Sequence, residues 1–202
     1  MKQIGRKITR LESIDSTNNY TANLIKNGDL VHGSVILADE QTHGRGQMGA
    51  EWQSRPGENL TMSIFLDGVN LSVEAQYFLT RFAALSVLDF LRKIGIHAQI
   101  KWPNDIYVDR NKIAGILIEN ILTAATIKKS IIGIGLNINQ DQQLCDNATS
   151  VKSVTGISRS IDEVLFSLIG CFNSRMAQGL KSEELESEYL DHLYLLNQRA
   201  FF

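Results

Sequence analysis

Segments with the apolar pattern of β-strands come in pairs along this chain, and segments with helical spacing are grouped rather than placed between successive strands. Because no steady strand–helix–strand alternation appears, we predict an α+β fold with a mixed, largely antiparallel β-sheet packed with helices. The predicted strands are 6–13, 33–41, 59–66, a strand ending near Trp102, 105–108, 112–119 and 130–138, with 105–108 and 112–119 joined as a hairpin through 109–111.

Four helices are predicted from apolar spacing and from residues that begin or end helices. The longest has its apolar side chains at helical intervals and is expected to pack in the core. The predicted helices are 16–28 ending at Gly28, 72–95 capped by Ser72 and ended by Gly95, 160 to about 180 opened by a capping box, and 182 to about 197.

The size and net charge of the chain are those of one globular domain that has no general attraction for polyanions. The 202 residues are 44% hydrophobic and 21% charged, which is ordinary for a single domain with a sizeable core. A net charge of −2 provides no global basic field for nucleic acid or acidic membranes. No apolar stretch is long enough for a signal or a membrane span, so we expect a cytoplasmic protein. Cys145 and Cys171 lack metal-ligand spacing and are expected to be reduced thiols.

The segment QTHGRGQMGAEW, residues 41–52, carries glycines at the spacing G-x-G-x-x-G. A dinucleotide fingerprint requires a helix directly after these glycines, but the next residues include Pro56 and lack an apolar helical period. A Walker A loop is also excluded, because Ala50 and Glu51 stand where Lys and Ser or Thr are required. An irregular loop remains, whose backbone N–H groups could surround an anion beside Arg45; a plain surface loop explains the glycines equally well.

A second informative segment, KWPNDIYVDRNKIAGIL, places two cations and a carboxylate around the predicted hairpin. Lys112 would neutralise a substrate carboxylate and its phosphate ester, and Asp105 would orient a metal ion or an incoming amine. Lys101 and Asn104 stand at the rim of the same hairpin. From spacing alone, water-exposed lysines and a capping aspartate remain an alternative explanation.

Taken together, these segments resemble the biotin protein ligase family. Five short motifs occur in that family's order and approximate spacing over residues 8–140: DSTN at 15–18, GRG at 44–46 followed by Gly49 and Trp52, KWPND at 101–105, NKIAGIL at 111–117 and GIGLNIN at 133–139.

The resemblance implies that biotin and MgATP form biotinoyl-5′-AMP and pyrophosphate, and that a lysine of a biotin carboxyl carrier protein then attacks the adenylate. The implied catalytic residues are Lys112, Arg45, Asp105 and Lys101. The implied biotin contacts are Ser16, Thr17, Asn18, Gln41, Gly44, Arg45, Gly46, Gln47, Lys112 and Gly115. The implied ATP contacts are Arg45, Gln47, Trp52, Asn104, Asp105, Lys112 and Asn137, with Mg²⁺ arriving with ATP near Asp105 rather than in a protein cage.

The chain also departs from the family pattern. Gln47 stands where many members have a second arginine, so we expect weaker retention of the adenylate. The first predicted strand begins at residue 6, without the helix-turn-helix that lets some members bind DNA, so no operator binding is expected. The catalytic domain is predicted over 1–197, with 198–202 as the start of a truncated or absent SH3-like domain. An exposed strand edge would allow a homodimer.

Two other functions fit parts of the pattern. Lipoate or octanoate ligases and transferases share the implied fold and use a strand lysine, although GRGQMGAEW and KWPND fit the biotin branch better. A non-catalytic module that binds biotin or an adenylate is the second alternative, because Gln47 reduces the charge of the loop.

Overall fold

The computed structural model describes residues 3–142, 144–179 and 183–196, and these form a seven-stranded sheet with helices on both faces. Strand order is β1-β2-β3-β7-β6-β5-β4, with β1 parallel to β2 and every other pair antiparallel. The predicted mixed, largely antiparallel α+β fold is therefore confirmed. The strands are β1 (Ile8–Ile14), β2 (Val35–Gln41), β3 (Leu60–Ser72), β4 (Gln99–Lys101), β5 (Asp105–Val108), β6 (Asn111–Thr123) and β7 (Thr126–Leu136).

The helices within the described residues are α1 (Thr17–Asn27), α2 (Tyr77–Lys93), α3 (Val151–Thr155), α4 (Ile161–Gln178) and α5 (Glu183–Asp191), with short 3₁₀ turns at Gln47–Gly49 and Val73–Ala75. Gly28 ends α1 with φ of 78°, a left-handed backbone that favours glycine, as the sequence predicted. Among the described helices, none has the length and apolar character needed to cross a membrane.

The register of the two longest central strands divides the sheet into a core face and a site face. Met62 and Ile64 of β3 pair with Ile134 and Ile132 of β7. All four are buried in the apolar core together with α2 and α4. Because side chains alternate along a strand, the residues between them point to the opposite face.

On the opposite face, polar residues of β3 stand next to glycines of β7. Thr61 pairs with Gly135 and Ser63 pairs with Gly133. Helix α1 packs on this face through buried polar side chains, including Thr17. The centre of the sheet is therefore apolar on one side and small and polar on the other, which leaves space for a site.

Strand β3 and helix α2 differ from their predicted boundaries. Strand β3 continues beyond the predicted end at residue 66 and reaches Ser72 through a bulge between Asp67 and Leu71. Ser72 is therefore a strand residue that caps nothing with its side chain, and α2 begins at Tyr77. The polar segment DGVNLS has the composition of a turn, but pairing with the start of β7 keeps it in the sheet.

Other boundaries agree more closely. Ser160 caps α4 through the backbone N–H of Glu163, as predicted, and α4 ends at Gln178. The short helix α3 was not predicted, and α5 ends at Asp191, before the expected end near Asn197. The hairpin turn is at Asp109 and Arg110, since Asn111 already pairs with Val108. The predicted C-terminal segment 198–202, Asn197 and residues 180–182 lie outside the described residues.

Candidate functional site

Three glycines on neighbouring strands form the floor of a cavity on the site face. Gly133 and Gly135 alternate along β7, and Gly115 of β6 pairs directly with Gly135. A Cβ atom at Gly133 would lie 2.5 Å from the Asn18 side-chain oxygen, and one at Gly135 would overlap the indole of Trp52. These positions therefore require glycine because other groups approach the strands closely.

Trp52 forms one wall of the cavity. Its indole lies over Gly135 and beside Gly115, and its ring centroid is 5.8 Å from the Lys112 ammonium. The indole Nε1 is buried and makes no hydrogen bond to any described residue. The wall is thus a flat aromatic surface with a cation at its edge and one donor available to a ligand.

A cluster of uncharged polar groups occupies the end of the cavity at the start of α1. Gln41 Oε1 accepts hydrogen bonds from the Thr17 backbone N–H at 2.8 Å and from the Thr17 hydroxyl at 3.0 Å. Ser63 Oγ lies 2.6 Å from Asn18 Oδ1 and 2.8 Å from Thr17 Oγ1. Ser16 is also buried here. Oriented neutral donors and acceptors of this kind suit an uncharged polar ring.

The glycine loop of residues 41–52 covers the cavity as a small irregular hairpin. The Trp52 N–H donates to the Gly44 carbonyl at 2.9 Å, and the Gly46 N–H donates to the Ala50 carbonyl at 2.6 Å. A 3₁₀ turn at Gln47–Gly49 forms its tip, where Met48 is fully exposed. No helix follows the glycines, so the sequence-based rejection of a dinucleotide fingerprint is confirmed.

Both cations of the cavity are paired with carboxylates. Arg45 Nη2 lies 2.7 Å from Glu119 Oε1, and the second Glu119 oxygen accepts from the Asn18 side chain at 2.7 Å. Lys112 Nζ lies 2.7 Å from Asp105 Oδ1. An anionic ligand must therefore compete with, or insert between, charges that are already offset.

Arg45 is also tied to the beginning of α1 through Asn19. Arg45 Nη1 donates to Asn19 Oδ1 at 2.5 Å, and Asn19 Nδ2 donates to Asp15 at 2.7 Å. The hydrogen bond from Asn19 is the main cause that lowers the pKa of the Asp15 carboxyl below its usual value. Arg45 of the loop is thus oriented through Asn19, the residue after the DSTN segment, which is itself bonded to Asp15, the first residue of that segment.

The backbone of Lys112 is held by the segment that precedes α3. Its N–H donates to the Asn147 carbonyl at 2.7 Å, and its carbonyl accepts from the Thr149 N–H at 2.9 Å. Asn137 completes this arrangement, since its side chain donates to the Thr149 carbonyl at 2.9 Å and its N–H donates to the Ile113 carbonyl. Lys112 therefore projects from a backbone fixed on two sides.

The cavity measures about 220 Å³ and brings most of the predicted site residues together. The predicted residues along its lining are Ser16, Thr17, Asn18, Gln41, Arg45, Gly46, Gln47, Trp52, Asn104, Asp105, Lys112 and Gly115. Leu117 provides an apolar side chain on the site face; Ile116 and Ile134 also border the cavity, but their side chains are buried in the core.

Three predicted site residues lie outside that lining. The Lys101 ammonium lies over the Tyr107 ring, 4.9 Å from its centroid, rather than in the cavity. Asn137 is buried and braces the backbone near Lys112 instead of facing the cavity. Gly44 forms the neck of the loop hairpin, where a Cβ would collide with the Trp52 carbonyl. Direct ligand contact by these three residues is not supported by their positions.

Sequence reasoning missed Ser63 and Glu119, which connect Thr17 to Arg45 through Asn18. Both lie inside strands, where nothing in the local sequence marks them as polar residues of a site. Strand register identifies Ser63, because it pairs with Gly133 of the cavity floor. Glu119 lies two residues beyond Leu117 on β6, and its position on the site face follows from alternation.

No three His, Cys, Asp or Glu side chains of the described residues come together in a way that could hold a metal ion. Cys145 is exposed and Cys171 is buried, and both are free. Burial raises the pKa of the Cys171 thiol. Within the described part of the chain, the carboxylates along the cavity lining are Asp105 and Glu51, so a divalent cation here would need ligands from a bound nucleotide.

Comparison with known proteins is consistent with this site. Bifunctional ligase/repressor BirA of Bacillus spizizenii is 33% identical over 178 residues, covering 85% of this chain and 54% of the relative. Biotin--[acetyl-CoA-carboxylase] ligase of Mycobacterium tuberculosis is 30% identical over 150 residues, covering 70% of this chain and 54% of the relative. The chain thus spans about half the length of these curated relatives.

Among solved structures, the biotin protein ligase of Aquifex aeolicus in complex with biotin and ATP matches with a TM-score of 0.77 and 28% identity, covering 95% of this chain and 80% of that one. The sequence model described as the Biotin/lipoate A/B protein ligase family matches residues 11–137, which is more than half of the chain. The chain therefore belongs to the biotin/lipoate A/B protein ligase family.

Proposed function

We propose that this chain is an ATP-dependent biotin protein ligase, which activates biotin as biotinoyl-5′-AMP and transfers it to a lysine of a biotin carboxyl carrier protein. One observation carries the proposal: a single cavity has a neutral hydrogen-bonding cluster at one end, with Arg45 next to it, and Lys112 beside an aromatic wall at the other. The first end suits a ureido ring, and the second suits a carboxylate and a nucleoside phosphate.

In the proposed binding step, the ureido ring lies against Thr17, Gln41 and Asn18. The Gln41 carbonyl oxygen already accepts two bonds from Thr17, which fixes the amide orientation and leaves its NH₂ group for the ligand. The apolar side chain of Leu117, which pairs with Gly133 on the site face, lies along the remaining carbon skeleton. The biotin carboxylate then reaches the part of the cavity near Lys112.

In the proposed activation step, a carboxylate oxygen of biotin attacks the α-phosphorus of ATP. A new P–O bond forms and the bond to the leaving pyrophosphate breaks, with no covalent intermediate on the protein. Two anions must approach each other, and Arg45 and Lys112 offset their repulsion and stabilise charge on the pentacoordinate phosphorus. The carboxylates Glu119 and Asp105 that pair with these cations keep both side chains oriented before the substrates bind.

The nucleotide is expected beside Trp52, with adenine stacked on the indole and Asn104, Asp105 and Gln47 near its polar groups. Mg²⁺ would neutralise the phosphates of ATP, and Asp105 is the carboxylate of this chain best placed to contact it. Lys112 also holds Asp105, so its ammonium and a divalent cation would share one carboxylate.

In the proposed transfer step, the lysine amine of the acceptor attacks the biotinoyl carbonyl. An amide bond forms, the C–O bond to AMP breaks, and the amine gives up a proton. Asp105 orients the incoming amine in this proposal, because its carboxylate lines the cavity next to Lys112.

The decisive experiment is release of pyrophosphate by the purified chain with ATP and Mg²⁺, measured with biotin, lipoate, octanoate or no acid present. Biotin-dependent release supports the proposed function, and release only with lipoate or octanoate would assign the chain to the other branch of its family. Biotin binding without any pyrophosphate release would identify a non-catalytic binding module. Mass spectrometry of an added biotin carboxyl carrier protein then tests the transfer step.

A further inference from the structure

A second depression, here called the side groove, lies next to the reaction cavity and has a volume of about 370 Å³. Its walls are the start of α2, the connection between β4 and β5, the outer part of β6, and Tyr189 of α5. None of the predicted roles uses Tyr77, Arg81 or Trp102, the three largest side chains contributed by the first two of these elements.

The side groove opens directly into the reaction cavity. Both are lined by Gln47 at the tip of the glycine loop and by Asn104, Ile116 and Leu117. The Asn104 side chain donates to the Ile116 carbonyl at 2.9 Å, so the boundary between the two spaces is a fixed strand-to-loop contact. A chain lying in the side groove could therefore extend a side chain into the cavity past Asn104.

The walls of the side groove expose aromatic surface. Trp102 is 74% exposed and Tyr77 is 45% exposed. Aromatic side chains of this size are usually well buried, and exposed Trp and Tyr are enriched where proteins bind other proteins. These rings flank a groove rather than standing singly on a convex surface, which is the arrangement that accepts a polypeptide.

The charge of the side groove argues against a polyphosphate ligand. Among the described residues, Arg81 is the only charged one along its lining, and its Nη2 is paired with Glu186 at 2.8 Å. The same guanidinium lies 4.4 Å from the centre of the Tyr77 ring, and its Nη1 has no hydrogen-bond partner among the described residues. The other polar groups are amides and hydroxyls, including Gln76, Thr80 and Asn120. Such groups match backbone N–H and C=O groups.

We propose that the side groove binds the acceptor protein along the uncharged polypeptide that flanks its target lysine. An apolar side chain of that segment packs between Trp102 and Tyr77, and its backbone meets the amide groups of the groove. The target lysine passes Asn104 into the cavity. This inference rests on the proposed function, because it assumes that an acceptor lysine must reach an activated acyl group in the cavity.

The test compares two acceptors of preformed biotinoyl-5′-AMP: a biotin carboxyl carrier domain and hydroxylamine, a small nucleophile that needs no docking surface. Trp102→Ala and Tyr77→Ala should each raise KM for the carrier domain by about tenfold or more, the effect of losing one well-packed aromatic contact. Hydroxylamine discharge and biotin-dependent pyrophosphate release should stay within about twofold of wild type. Phe166→Ala is the matched control, because Phe166 is an aromatic residue 62% exposed on α4, outside the lining of the side groove.

Unchanged KM for the carrier domain in both variants would overturn the proposal. An equal loss with hydroxylamine, or a raised KM for ATP, would assign the groove to the nucleotide and would also overturn it. If the wild-type chain formed no adenylate, the proposed function would fail separately. The groove would then be tested by calorimetry with the carrier domain alone, where equal Kd values for wild type and Trp102→Ala would exclude docking there.

Discussion

Replacing Lys112 with alanine should lower the rate of adenylate formation and leave the fold intact. The side chain supplies a cation at the centre of the cavity, 2.7 Å from Asp105 and 5.8 Å from the centre of the Trp52 ring. Its backbone is held independently by the Asn147 carbonyl and the Thr149 N–H, so the strand keeps its position after truncation. We expect Lys112→Ala to fold normally and to lose most of its adenylate formation.

In Lys112→Ala, the expected loss of reaction rate is larger than the expected loss of stability. One oriented donor at developing charge contributes about 3–4 kcal/mol to a transition state, which corresponds to a loss of about 100- to 1000-fold in rate. The stability cost is smaller: the Lys112 and Asp105 side chains are 32% and 23% exposed, between a surface pair and a buried one. We therefore estimate about 1–2 kcal/mol, or a decrease in Tm of about 3–8 °C.

The assay is biotin-dependent pyrophosphate release at saturating biotin and ATP, with thermal unfolding measured on the same samples. Lys101→Ala is the matched control, because Lys101 is a lysine of the adjacent strand whose ammonium lies against Tyr107. It should retain at least a third of the wild-type rate. A rate for Lys112→Ala within threefold of wild type would refute the proposed role, and a large loss in Lys101→Ala would show that the Lys101 ammonium reaches the substrates during the reaction.

Three further variants probe the floor, the loop and the C-terminal helix. Gly135→Ala forces the Trp52 indole off the cavity floor and should raise KM for ATP by about tenfold or more; an unchanged KM would contradict adenine stacking there. Gln47→Arg adds a charged donor at the loop tip and should slow release of preformed biotinoyl-5′-AMP by about tenfold in rapid filtration, whereas an unchanged rate would place this side chain away from the phosphate. Glu188 accepts hydrogen bonds from the buried Arg175, which lower its carboxyl pKa below the usual 4.5, so its stabilising effect is present above that pH and is lost as pH falls through the lowered value. Glu188→Gln should therefore lower Tm more at pH 7 than at pH 3, and an equal decrease at both values would exclude this linkage.

The sequence predicted the central strands well, because the apolar pattern of each segment matches the burial of that segment in the sheet. The run 130–138 is buried on both faces of the sheet, so a continuous apolar stretch is enough to identify it. The end of β3 shows the opposite case: Gly68 and Asn70 both have positive φ, as in a turn, yet pairing with β7 resumes at Leu71. Tertiary pairing outweighed local preference there, and no local signal revealed it.

The site was predictable wherever a short motif carried several of its residues. The motifs around Thr17, Arg45 and Asp105 are far apart in the chain but line one cavity. The role of Lys101 stays a prediction: its ammonium lies against Tyr107 outside the cavity lining, because closeness in sequence to Asp105 does not specify where a long side chain extends. Sequence reasoning missed Glu119, whose role depends on strand alternation and on the position of Arg45 across the cavity.

The glycine floor has a consequence for how long a ligand stays bound. Gly133 and Gly135 belong to β7, which is hydrogen-bonded on both sides by long strands, whereas the loop of residues 41–52 is held by few backbone bonds. Amide hydrogens of the floor should exchange with solvent only on global unfolding, and those of the loop should exchange through small local openings. If the proposed function holds, release of a bound adenylate should follow opening of the loop, so changes in the loop should alter residence time without disturbing the sheet.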